Sequence, residues 1–154
     1  MKDLHSTLKL VNTLLPIVGN NDTEGTPVAS ADRQGFNSVE HVVIFGTSGD
    51  TLSGSLKVDL KLQHSDDDSN WSPVTSADDV LIGSDSGVSA PDANGIFRTV
   101  DAAGEDAKSY RIGYRGPKRY SRVLADFTGT HTNGVPIVML ALLGHPERSP
   151  TQDK

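Results

Sequence analysis

The sequence predicts an all-β protein, a single-domain antiparallel β-sandwich or jelly roll with an extended N-terminal arm, and three observations carry that expectation. Residues 109–146 read as three consecutive strands with turn chemistry between them. The glycines and prolines fall mostly between short apolar runs. No stretch with helical periodicity runs longer than a turn or so. Residues 1–18 are read as the arm or an edge strand, 19–146 as the sandwich and 147–154 as a flexible tail.

Along residues 4–18, Leu8, Leu10 and Leu14 share one parity while Val11, Leu15 and Ile17 share the other, and Pro16 bars a central helix or a central strand. Both readings, edge strand and arm, stay open on this pattern. After polar, turn-rich residues 20–26, residues 34–46 set Val39, His41, Val43 and Phe45 against Glu40, Val42 and Ile44, a β-branched pattern that favours a buried strand. Residues 47–54 are a loop. Residues 55–64 alternate without a break: Leu56, Val58, Leu60, Leu62 and His64 point to a core, Lys57, Asp59, Lys61 and Gln63 to water.

Residues 65–70 then turn the chain through Asx and Ser side chains, and Trp71 is expected over the sheet edge near Val74. Residues 77–81 suit one helical turn capped by Ser76, with Asp78 and Asp79 at its positive end. Residues 83–95 form a long polar loop, expected to be mobile or held by a partner. Residues 96–100 are a short strand. The organising meander follows: 109–114 alternates Tyr110, Ile112 and Tyr114 against Ser109, Arg111 and Gly113; 119–128 alternates Ser121, Val123, Ala125 and Phe127 against Tyr120, Arg122, Leu124 and Asp126. Residues 135–143 are apolar throughout, as for a strand covered on both faces.

Composition narrows the function. There is no cysteine, hence no disulfide and no thiolate metal site. A net charge of −6 argues against general nucleic-acid binding, which needs a basic footprint. Residues 1–18 lack the pattern of a secretion signal, and the longest apolar run is too short to span a membrane as a helix.

The candidate sites for chemistry are thin. Asp66, Asp68 and Asn70 occupy the first ligand positions of a calcium loop, but Trp71 stands where the sharp turn needs Gly and Ala77 where a Glu should close the site, so a turn is the better reading. His5, His41, His64, His131 and His145 are scattered without a metal-ligand spacing, and the Ser/Gly loops at 46–49 and 83–87 are not nucleophile elbows. No cofactor, metal or catalytic activity is expected. Above this background stands a charge split: Lys108, Arg111, Arg115, Lys118, Arg119 and Arg122 have no acid between them, whereas residues 59–106 are strongly acidic. The basic stretch is either a solvated hairpin or a contact face, in which Arg111, Arg115, Lys118 and Arg119 would pair with carboxylates. Leu8, Leu10 and Leu14 are the matching candidates in the arm, through strand addition to another sheet.

Three segments carry a resemblance: Leu62-Gln63-His64-Ser65-Asp66-Asp67 with Trp71 and Val74; residues 110–120 from Tyr110 to Tyr120; and Ala141-Leu142-Leu143-Gly144-His145-Pro146. Together the chain from Phe36 to Pro146 resembles the capsid decoration, or cement, proteins of tailed bacteriophages. That resemblance implies a β-sandwich without cofactor that binds the major capsid protein on the outer surface of the expanded head, often as a homo-trimer. It implies a virion location, with assembly in the host cytoplasm. Two other classes remain open: a tail-associated or carbohydrate-binding β-sandwich, which would display several aromatic rings, and a jelly-roll hydrolase, which would need converging histidines and carboxylates.

Overall fold

The computed structural model describes residues 3–23, 28–84 and 86–148. Among the described residues ten strands are formed, and the only helical pieces longer than a single residue are two 3-10 turns, His5–Thr7 and Ala77–Asp79. In chain order the strands are β1 (Leu8–Gly19), β2 (Ala31–Asp32), β3 (Phe36–Phe45), β4 (Lys57–Ser65), β5 (Ser72–Pro73), β6 (Val80–Leu81), β7 (Ile96–Val100), β8 (Ser109–Tyr114), β9 (Tyr120–Thr128) and β10 (Val135–Pro146). They make two antiparallel sheets packed face to face, an all-β sandwich. The first has the order β1-β10-β3-β8-β6; the second runs β2-β9-β4-β5, with β7 also paired to β4.

The period-two pattern of β3, β4, β9 and β10 builds the core. Val39, Val43, Phe45, Ile112, Ile137, Met139 and Ala141 come from the first sheet and meet Val58, Leu60, Leu62, Phe97, Val100, Val123 and Ala125 from the second. Two polar bridges cross between the sheets. His41 Nε2 lies 2.8 Å from Ser121 Oγ, and Tyr114 Oη lies 3.0 Å from His64 Nδ1.

Local sequence explains the connections. Ser76 Oγ accepts from Asp78 N at 3.2 Å, the expected cap on the turn before β6. After β4, Asp67 accepts from the backbone of Ser69 and Asn70 at 3.0 and 2.7 Å, so the acidic stretch is a turn, and those N–H groups hold its carboxyl well below the usual range.

Three expectations change. The strands at 109–146 are not a meander: β8 and β10 both pair with β3 in the first sheet, while β9 crosses to the second and pairs with β4. From β8 to β10 the chain therefore alternates between the layers. The loop at 83–95 is held by its own chain: Ser86 is buried, Ser89 N donates to Phe97 O at 3.0 Å and Gly95 O accepts from Leu62 N at 2.8 Å. Finally, β10 is not covered on both faces. Val135, Ile137, Met139, Ala141 and Leu143 are buried, but Pro136, Val138, Leu140 and Leu142 are only half-buried. Residues 1–18 contribute β1, an edge strand paired along β10 from Leu8 to Gly19. The tail beyond Arg148 lies outside the described residues.

Candidate functional site

The two outer faces of the sandwich differ in chemistry. On the second sheet most outward residues of β4 and β9 are polar and tied together: Lys57 Nζ donates to Asp59 at 2.8 Å, Lys61 pairs with Asp126, and Arg122 donates twice to Gln63 at 2.9 and 2.8 Å, while Leu124 on the same parity is buried and Asp59, expected in water, is only 5% exposed. Asp59 and Asp126 are direct cross-strand partners, and the two lysines offset a repulsion that would otherwise cost stability. Apart from Leu124 and Asp59, this face suits water.

The outer face of the first sheet is largely apolar, with Asn12, Glu40 and Arg111 the polar residues of its central rows. Cross-strand register sets two lateral rows on it: Asn12, Leu140, Val42 and Arg111; then Leu10, Leu142, Glu40 and Gly113, with Leu81 beyond. A further pair, Val138 and Ile44, extends the field toward the start of β10, where Val18 partners Pro136. Leu10 is 56% exposed, Val18 64%, Leu81 55% and Ile44 39%, and Leu15, in the bulged part of β1, is 65% exposed. Isolated exposed leucines are ordinary, but a continuous apolar sheet face is a recognition surface or an aggregation hazard.

At the end of β10 this face dips into a groove of about 670 Å³. Leu4, Leu8, Leu81 and Leu142 line it, and small residues, Ser38 and Gly144, line it between them. Gly113 sits close beside Glu40 and Leu81: a Cβ there would lie 2.9 Å from Glu40 Oε2, the end of a flexible side chain, and 3.0 Å from Leu81 Cβ. Glu40 receives Arg111 Nη1 at 3.4 Å, yet its partial burial outweighs that partner and holds its pKa above the ordinary glutamate value.

The basic residues singled out by the sequence do not form a bare positive face. Arg119 forks onto Asp32 with bonds of 2.8 and 2.6 Å, which holds the Asp32 carboxyl below its ordinary value. Arg115 Nε donates to Asp78 O at 2.6 Å, and Lys118 Nζ to Ser72 Oγ at 3.0 Å, with Asp66 3.8 Å away. Arg122 lies 4.2 Å over the Trp71 ring. Other elements thus supply the partners that residues 107–122 lack: acids for Arg111, Lys118 and Arg119, a backbone carbonyl for Arg115, and an amide and a ring for Arg122. Of the three leucines proposed in the arm, Leu10 is exposed and Leu8 half-buried, but Leu14 sits in the core at 4% exposure, so it is not available to a partner.

Val42, Ile44, Val138, Leu140 and Leu142 were not among the sequence candidates. Their signal was present, since β10 is apolar on both parities, but that pattern equally fits a strand buried on both sides. Among the described residues no three His, Asp or Glu side chains gather to hold a metal ion, and no helix is long and apolar enough to cross a membrane. Comparison with family models, with curated proteins and with solved structures finds no match to this chain.

Proposed function

We propose that this protein is a virion structural component, a decoration or cement protein that binds the major capsid protein on the outside of a phage head and stabilises it through protein–protein contacts, as a homo-oligomer. The observation that carries the reading is the largely apolar outer face of the first sheet, which none of the described strands covers. A rigid slab with one wet face and one apolar face gains free energy only when something covers the second. Placement on a repetitive shell would make each contact modest and the whole tight, through avidity. The resemblance of residues 36–146 to decoration proteins points the same way.

The aromatic rings count against a carbohydrate-binding module. Tyr110 and Tyr114 are 3% and 2% exposed, and the Trp71 ring is stacked by Arg122, so these rings offer no sugar platform.

The test uses expanded heads that lack the protein. Purified protein added to them should bind in a fixed ratio per capsid subunit and raise their resistance to heat or internal pressure. Heads that neither bind it nor gain resistance would overturn the proposal.

A further inference from the structure

The groove at the end of β10 owes its depth to missing side chains. Leu8, Gly144 and Ser38 are cross-strand neighbours, and Arg115 stands one step past Val39 and Tyr114, the last pair of β3 and β8. Gly144 and Ser38 contribute little bulk, so a trough is left between Leu8 and Leu142 on one side and Leu81 with Arg115 on the other. Leu4, 71% exposed, adds to its apolar wall. At about 670 Å³ the trough falls within the range of about 300–1,000 Å³ usual for ligand sites. Its acid and its arginine are met differently. Glu40 is held by Arg111 within the chain. Arg115 is braced by carbonyls alone: its N donates to Asp79 O at 2.9 Å and its Nε to Asp78 O at 2.6 Å. Among the described residues no carboxylate lies within 4 Å of its guanidinium, whose terminal nitrogens stay open to a partner.

We infer that this groove seats an extended segment of the protein's partner in which an acidic side chain adjoins a branched aliphatic one. The aliphatic group fills the trough, and the carboxylate is forked by Arg115, whose planar guanidinium suits such a pair. Charge selects this occupant over its rivals: a basic segment is repelled by Arg115, and a neutral apolar one leaves that cation unanswered where it covers it. The inference rests on the capsid reading for the identity of the chain that brings the segment; the chemistry of the seat stands on the groove itself.

The probe is an end-blocked pentapeptide, alanine-leucine-glutamate-leucine-alanine, titrated to millimolar concentration into the isotope-labelled full chain and followed by NMR. The backbone amides of Gly144 and Ser38 should shift, and a version with glutamine for glutamate should bind about tenfold more weakly. Arg115→Glu, with an unchanged circular dichroism spectrum, should reverse the preference toward a lysine version, which a merely structural arginine would not do. Amides that ignore the peptide, or that answer the glutamate and lysine versions alike, overturn the inference. So do amides that move with protein concentration alone, which would give the groove to a second copy. On expanded heads, Arg115→Gln and Leu81→Ser should each lower occupancy. If both variants bind heads as the parent does, the capsid reading stands and the seat is lost; if the parent takes the peptide but not the heads, the seat stands and the capsid reading is lost.

Discussion

His41 shows what a single side chain does in this sandwich. It sits in the first sheet, fully buried, with Nε2 on Ser121 of the second sheet and no partner for Nδ1. Burial disfavours the charged ring and pushes its pKa down to about 4, against 6.5 for a free imidazole. The folded chain therefore binds fewer protons than the unfolded chain between these values. Stability from this residue is complete above about pH 6.5 and is lost as pH falls toward 4, by about 3 kcal/mol in all. Urea melts at pH 7, 5.5 and 4.5 should show the loss, and His41→Leu should flatten it within that window; an unchanged slope in the variant would place the proton uptake elsewhere. Arg119 teaches a related lesson. Because its guanidinium is forked onto Asp32, Arg119→Glu sets two acids face to face and should lower the thermal midpoint with no partner present. An unchanged midpoint would free this side chain for an external contact.

At the scale of the element, β1 is the instructive strand. Its pairing with β10 slips between Asn12 and Leu14 and again between Leu14 and Ile17, the second slip spanning Pro16. Bulges and proline are what keep an edge strand from recruiting neighbours, and Ala29 N covers part of this edge by donating to Thr13 O at 2.9 Å. Strand addition along the whole of residues 4–18 is therefore disfavoured, which is why the proposed contact is placed on the face of the sheet and not on its edge. The bulges also decide which leucine faces the core. Leu14→Ala should cost about 2–5 kcal/mol, as for a buried leucine, whereas Leu15→Ala should stay within about 0.5 kcal/mol. Equal losses in denaturant midpoint would mean that the register of β1 is wrong.

For the whole molecule, the asymmetry of the two outer faces matters most. An apolar sheet face adds to the hazard of an open sheet edge, and β1 closes the long edge of β10. Deleting residues 1–19 should therefore give an aggregating product, because Val135–Pro146 would then offer both a bare backbone edge and its exposed apolar side chains. Soluble, folded protein after this deletion, seen by gel filtration and circular dichroism, would mean that residues 1–19 are a dispensable arm.

The alternation within 34–46, 55–64 and 119–128 was legible from the residues alone, because side chains on a strand must point to opposite faces and only one parity here is apolar. The Asx turn at Asp67 and the Ser76 cap were legible for the same local reason. Short pieces such as Ala31–Asp32 and Ser72–Pro73 were not, since two residues carry no period. Nor could the sequence tell which strand pairs with which, whether the second apolar parity of β10 is covered, or which groups answer Arg115, Lys118 and Arg119. Those depend on residues tens of positions apart brought together by folding. Local stereochemistry determined the strands and turns; only the stacking of two sheets decided that one apolar face would be left outside.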